Sequence, residues 1–135
     1  MKSQHNFLLK ATLMILMMFS AASIAQSQKK VFTSNVIGNL KMGIQSNNYG
    51  LKRDCIYFAA KYKVDEVVDE LVNEFKKESD PRNRVLIALA IYKIGDRSGI
   101  EEVYQASLTD SDPKVRKRCF EIMNLLNEES LVSVH

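Results

Sequence analysis

The stretch Asp80–Val103, DPRNRVLIALAIYKIGDRSGIEEV, decides how this chain folds. It opens on aspartate followed by proline, a pair that starts helices. The carboxylate accepts bonds from amide N–H groups that have no partner in the first turn, and proline at the first helical position gives up no needed donor. Val85, Leu86, Leu89, Ala90 and Ile94 then recur at helical spacing, and Gly95-Asp96 ends the run. A second helix is predicted from about Gly99 to Leu108, with Ile100, Val103, Tyr104 and Leu108 facing inward.

The same opening recurs 32 residues later as DPKVRKRCFEI from Asp112, and 32 residues earlier as NYGLKRDCIYF from Asn48. Matched columns are Asn48/Asp80/Asp112, Tyr49/Pro81/Pro113, Lys52/Arg84/Arg116 and Cys55/Ile87/Cys119. The first unit begins Asn-Tyr rather than Asp-Pro, so its assignment rests on register and apolar columns. It predicts a helix near 48–62 and a second one carrying Val67, Val68, Leu71, Val72 and Phe75. Upstream, Val36, Ile37, Leu40 and Ile44 mark another second helix, with Ser34 as its cap. A last first helix is predicted over roughly 113–127. No stretch alternates long enough with period two to demand a strand. One helical pair cannot bury its own apolar stripe, so pairs at a fixed period stack side by side. The expected fold is all-α, a short α-α solenoid of about two and a half helical pairs.

These segments resemble HEAT repeats, above all the short bacterial type related to the phycobilin-lyase repeats. The resemblance lies in D-P-x-x-R at the start of the first helix, an alanine-bearing apolar middle, and IGD before the second helix. It covers about residues 34–127. It implies a ladder between neighbouring turns, built here from Asp80, Arg84, Asp112 and Arg116, with a structural and not a catalytic role. The patterns of tetratricopeptide and ankyrin units are absent.

The N-terminus carries an address. Lys2 and Lys10 make a positive start, no acid precedes Asp54, and Ala11 to Ala25 (ATLMILMMFSAASIA) holds no charge and ends small-x-small. This predicts a signal peptide over 1–25, cleaved after Ala25, and an exported protein, periplasmic or extracellular. The alternative is an N-terminal membrane anchor, although the 15-residue apolar run is short of the ~17 a span needs. Residues 26–33 then form a linker, 34–127 the repeat domain and 128–135 a tail. The whole chain has 19 basic and 16 acidic residues, net +3; without Lys2 and Lys10 the 19 become 17 and the net charge falls to +1. A basic-patch argument for nucleic acid loses its force at that value.

Catalytic chemistry finds little support. The two histidines are His5, in the signal segment, and His135, the last residue given, so no His-based triad or His-rich zinc site is expected. No glycine-rich phosphate loop occurs. Asp110-Ser111-Asp112 resembles the opening of a calcium loop but lacks its glycine and closing glutamate. No enzyme activity, cofactor, metal or small-molecule substrate is expected. Cys55 and Cys119 share a column two units apart, on the order of 20 Å if helices pack 8–10 Å apart, whereas a disulfide needs Cα atoms within about 7 Å. Two reduced, buried thiols are expected, with an intermolecular bridge as the alternative.

Three surfaces are candidates for binding. Asp65, Glu66, Asp69, Glu70, Glu74, Glu101 and Glu102 crowd the second helices, which line the concave side of a HEAT-like stack and would suit a basic segment of a partner protein. Acids also simply favour helix N-termini and solvated faces. Lys52, Arg53, Arg82, Arg84, Lys114, Arg116, Lys117 and Arg118 recur on the first helices, a ridge that could touch anionic lipid. The last helix is expected to expose Phe120, Met123 and Leu126 at an uncovered C-terminal end, inviting self-association or a partner unless Leu131-Val132 folds over it. The expected function is a non-catalytic protein-interaction module of unknown partner. The alternatives are an accessory factor of an enzyme pathway, as the lyase-type resemblance implies, and a membrane-surface-associated module.

Overall fold

A computed structural model describes residues 31–132, with side chains through 128. The signal segment, most of the linker and the last residues of the tail lie outside the described residues. Among those described there are six α-helices and no strand. They are α1 (Ser34–Ile44), α2 (Tyr49–Tyr62), α3 (Val68–Lys77), α4 (Pro81–Ile94), α5 (Arg97–Thr109) and α6 (Pro113–Val132), with a 3-10 turn Asp65–Val67 leading into α3. No described helix is long and apolar enough to cross a membrane.

Each first-type helix starts as its sequence dictates. Asn48 accepts the Leu51 N–H at 3.1 Å, Asp80 the Arg82 N–H at 2.8 Å, and Asp112 the N–H groups of Lys114 at 2.7 Å and Val115 at 3.3 Å. Asp96 caps α5 through the Gly99 N–H at 3.0 Å. This cap starts α5 at Arg97, two residues before the expected Gly99. Ser34 is not a cap: it is the first residue of α1, and the preceding Thr33 makes no capping bond through its side chain. The ends repeat too. α2 and α4 close on left-handed residues in one column, Lys63 at φ 50° and Gly95 at φ 85°. The third member is Asn127, where α6 runs on to Val132 instead of ending near 127. Glu128-Glu129-Ser130 holds neither glycine nor proline to stop it.

Helices of like kind touch in order: α2 meets α4 and α4 meets α6, while α1 meets α3 and α3 meets α5. Each row also packs on the other, through α1–α2, α3–α4, α4–α5 and α5–α6. α4 is central, buried through Ile87, Ala88, Ala90, Ile91 and Tyr92. One core runs through the helical unit from Leu40 and Ile44 to Val115, Cys119 and Ile122. Its large side chains each contribute about 1.5–3 kcal/mol by leaving water. At the α1 end, Phe32, Phe58 and Tyr62 close the core as an aromatic cluster with ring centroids 4.5–6.0 Å apart.

Two expected apolar faces are narrower than the periodicity implies. α5 packs through Gly99, Val103 and Ala106, while Tyr104 and Leu108 are exposed. Gly99 allows this close approach, since a Cβ there would meet Ile91 at 2.7 Å and Val68 at 3.1 Å. On α6, Met123 and Leu126 are half-buried against the core, so the exposed C-terminal trio reduces to Phe120, joined by Leu125. Met123 and Leu126 lie on the same side of the helix as Cys119, which turns them toward α5 and α4.

Candidate functional site

The ladder implied by the Asp-Pro motif exists with different carboxylates. Asp80 and Asp112 spend their oxygens on cap amides, and Asp80 also pairs with Arg82 at 3.0 Å. The acids that meet the column cations stand two residues earlier, at Glu78 and Asp110. Arg84 grips Asp110 with both terminal nitrogens, one bond at 3.1 Å, and Asp110's side chain is 1% exposed. The Arg84 guanidinium also lies 5.3 Å from the centre of the Phe75 ring. In the preceding unit Lys52 makes the equivalent link, reaching Glu78 at 3.5 Å and bonding Glu74. Both links span 26 residues. The acids also anchor the turn: Glu78 accepts the Asp80 N–H at 3.0 Å and Asp110 the Asp112 N–H at 2.8 Å, and Ser46, in the same column, accepts that of Asn48 at 3.0 Å. Arg116, the third column cation, bonds the backbone carbonyls of Asp110 and Ser111.

The electrostatics follow the geometry. Burial pushes the Glu78 carboxyl up, but the Asp80 amide, the Asn83 side chain and the Lys52 ammonium outweigh it and leave it below the usual value. Burial likewise lowers Lys52, and bonding to Glu74 and the nearby Glu78 outweighs that, so it sits above its ordinary 10.5.

The second-type row is less free than its sequence implies. Glu70 pairs with Lys41 at 2.9 Å, Glu102 with Lys76 at 2.8 Å, and Glu74 with Lys52. Three of the seven candidate acids therefore stitch helices together. Glu66, Asp69, Asp65 and Glu101 are exposed, and Glu101 accepts a bond from Gln105 at 2.9 Å. A polar hollow of about 230 Å³ by Phe75, Glu102, Gln105 and Asp110 gathers charge, but its carboxylates belong to the pairs with Lys76 and Arg84. No group of three or more metal-ligating side chains occurs among the described residues.

The first-type row carries the larger open feature. A groove of about 430 Å³ between α4 and α6 is floored by Val85, Leu89, Ile122 and Leu125 and rimmed by Arg118 and Glu121. Through Leu89 it adjoins a second hollow of about 170 Å³ between α2 and α4, lined by Ile56, Tyr57, Ala60, Leu86 and Ala90, with Lys93 beside it. Tyr57 is 63% exposed and Leu125 45%. Arg53, Lys61, Arg82, Lys114 and Lys117 are exposed on the same three helices. Of the predicted basic ridge, Lys52, Arg84 and Arg116 are half-buried in the links just described. Sequence reasoning missed this groove: it read Leu86 and Leu89 as core, and nothing in the apolar spacing marks the gap between neighbouring helices. Cys119 is buried and Cys55 half-buried, and both are free thiols.

No protein-family model, curated protein or solved structure significantly matches this chain, so the resemblance to HEAT repeats rests on the chain's own residues.

Proposed function

We propose that this chain is an exported, non-catalytic, HEAT-like helical-repeat module that binds an acidic, amphipathic segment of another protein along its first-type helices. One observation carries the reading: two open apolar hollows meet at Leu89 on the first-type helices, edged by Lys93 and by an exposed Arg118–Glu121 pair at 2.7 Å, whereas the polar hollow is lined by carboxylates held in links between helices. An apolar floor takes the apolar face of a helix or extended segment, and Lys93 at the edge, with the exposed Lys114 and Lys117 on α6, favours carboxylates on its flanks. Exposed apolar surface of this kind marks binding sites more often than scattered single residues do. Acyl transfer, phosphoryl transfer or hydrolysis would need an acid, base or nucleophile placed beside a substrate cavity. The paired Glu102 and Asp110 are instead held in structural links.

The test is a photo-crosslinking amino acid placed at Tyr57, at Leu125, and at Met42 on α1, which is 66% exposed, in the cell that exports the protein. Tyr57 and Leu125 should yield the same discrete adduct, captured through an acidic amphipathic segment, and Met42 should not. Adducts that are identical at all three positions, or absent from Tyr57 and Leu125, would contradict the reading.

A further inference from the structure

The two ends of the stack are complementary halves of one repeat. Among the described residues, α1 is a second-type helix with no first-type helix before it, and α6 is a first-type helix with no second-type helix after it. The register shows what the α6 end lacks. Ile56 and Ala88 are 1% and 0% exposed under the next first-type helix, but Phe120, their counterpart, is 56% exposed. Lys52 and Arg84 each reach a carboxylate in the following turn, while Arg116 bonds carbonyls of its own turn.

Inside the stack, neighbouring first-type helices meet in a fixed way. Val85 and Leu89 of α4 share a groove with Arg118 and Leu125 of α6, and Tyr57 of α2 shares one with Leu86 and Lys93 of α4. Carrying that register forward by one copy sets Lys117 and Glu121 of α6 against Asp54 and Lys61 of the next copy. The charges are opposite both times. Lys61 is exposed, Asp54 keeps 75% of its side chain in solvent beside Arg53 at 3.7 Å, and Glu121 keeps 42% while pairing with Arg118 at 2.7 Å, so both acids stay open to a second cation. Phe120, in the column of Ile56, which lies beside Leu86, Leu89 and Ala90 of the next helix, then falls opposite Asp54, Tyr57 and Phe58, of which Tyr57 is 63% exposed.

We propose that copies of this chain associate head to tail, the α6 end of one on the α1–α2 end of the next, so that α6 and the incoming α1 complete a helical pair. Such a contact joins different surfaces and repeats without closing unless its rotation makes a ring. The opposed charges fix register and direction, and Phe120 supplies a central aromatic anchor.

Sedimentation velocity on the purified protein tests this. The wild type should grow in mass with concentration. Phe120→Asp blocks the α6 end and Asp54→Lys the α2 end, and each should weaken association by about tenfold or more. An equimolar mixture of the two variants should give a dimer that grows no further, because one intact end of each kind remains. A wild type that stays monomeric overturns the proposal, as does a mixture that stays monomeric. So does association that survives Asp54→Lys but not Phe120→Asp, the mark of a symmetric α6–α6 contact. Circular dichroism checks that each variant is folded. Should one not be, Lys117→Glu replaces the first and Lys61→Glu the second, with the same outcomes expected.

Discussion

A methyl group on Gly43 would land 2.2 Å from the Cys55 sulfur. α1 and α2 thus approach as they do because one side carries no Cβ. Gly43→Ala should cost about 1–3 kcal/mol by overpacking, and Cys55→Ala in the same chain should recover most of it, both measured by denaturant unfolding. At Cys119, burial and the nearby Asp110 charge push the thiol up to about 11, with Arg84 opposing. It should remain protonated at neutral pH and resist thiol reagents until the protein unfolds. Rapid labelling of Cys119 in the native protein would contradict its placement. At this scale the caps were legible in sequence, because Asn48, Asp80 and Asp112 sit just before apolar periodicity. Glu78 and Asp110 were not. They recur at the same 32-residue spacing, but they precede the caps at which the aligned segments begin, and a carboxylate in a turn carries no pattern of its own.

Among the elements, the helix ends make the sharpest comparison. Lys63 and Gly95 occupy the same left-handed C-terminal position, which costs a residue with a Cβ about 1 kcal/mol relative to glycine. Lys63→Gly should therefore raise stability by about 0.5–1 kcal/mol, and Gly95→Ala should lower it by about 1 kcal/mol, in thermal melts. Equal destabilisation by both would show that α2 does not end as described. Helix existence and order followed directly from apolar spacing. The exposure of Tyr104 and Leu108 did not, because a helix beside a glycine packs through a narrow stripe and leaves flanking apolar residues outside. The run of α6 beyond 127 reflects the absence of any stop signal, which a repeat-based boundary overrides too easily.

For the molecule as a whole, the links between turns predict its pH response. Glu78 is held below its usual value in the folded state, as are Asp96, through the Ser98 hydroxyl and Gly99 amide, and the half-buried Asp80, through Arg82. Groups depressed on folding add stability above their unfolded values, near 4, and lose it as pH falls through the lower folded values. Stability should thus decline below about pH 4.5. Glu78→Gln should cost about 1–2 kcal/mol at pH 7 and almost nothing near pH 2. A cost independent of pH would mean that its charge is not what matters. At the alkaline end the Lys52 contribution is complete below 10.5 and is lost only as pH passes its raised folded value. The order of helices was legible in the period of 32. The surfaces were less so, because which charges remain free depends on partners 22 to 29 residues away: Glu70, Glu74 and Glu102 read as an open acidic face until their lysines are placed.

The register of the stack stands or falls on the contact between Arg84 and Asp110, which joins the α4 helix of one repeat to the turn that opens the next. A double-mutant cycle with Arg84→Met and Asp110→Asn, read by chemical denaturation at pH 7, measures it. Each single substitution strands a partner that is largely buried, at a cost of about 3–5 kcal/mol, and the double should recover about 1.5–3 kcal/mol of their sum. Costs that add to within about 0.5 kcal/mol would mean the two side chains do not meet, and would contradict the 26-residue link on which the repeat is built.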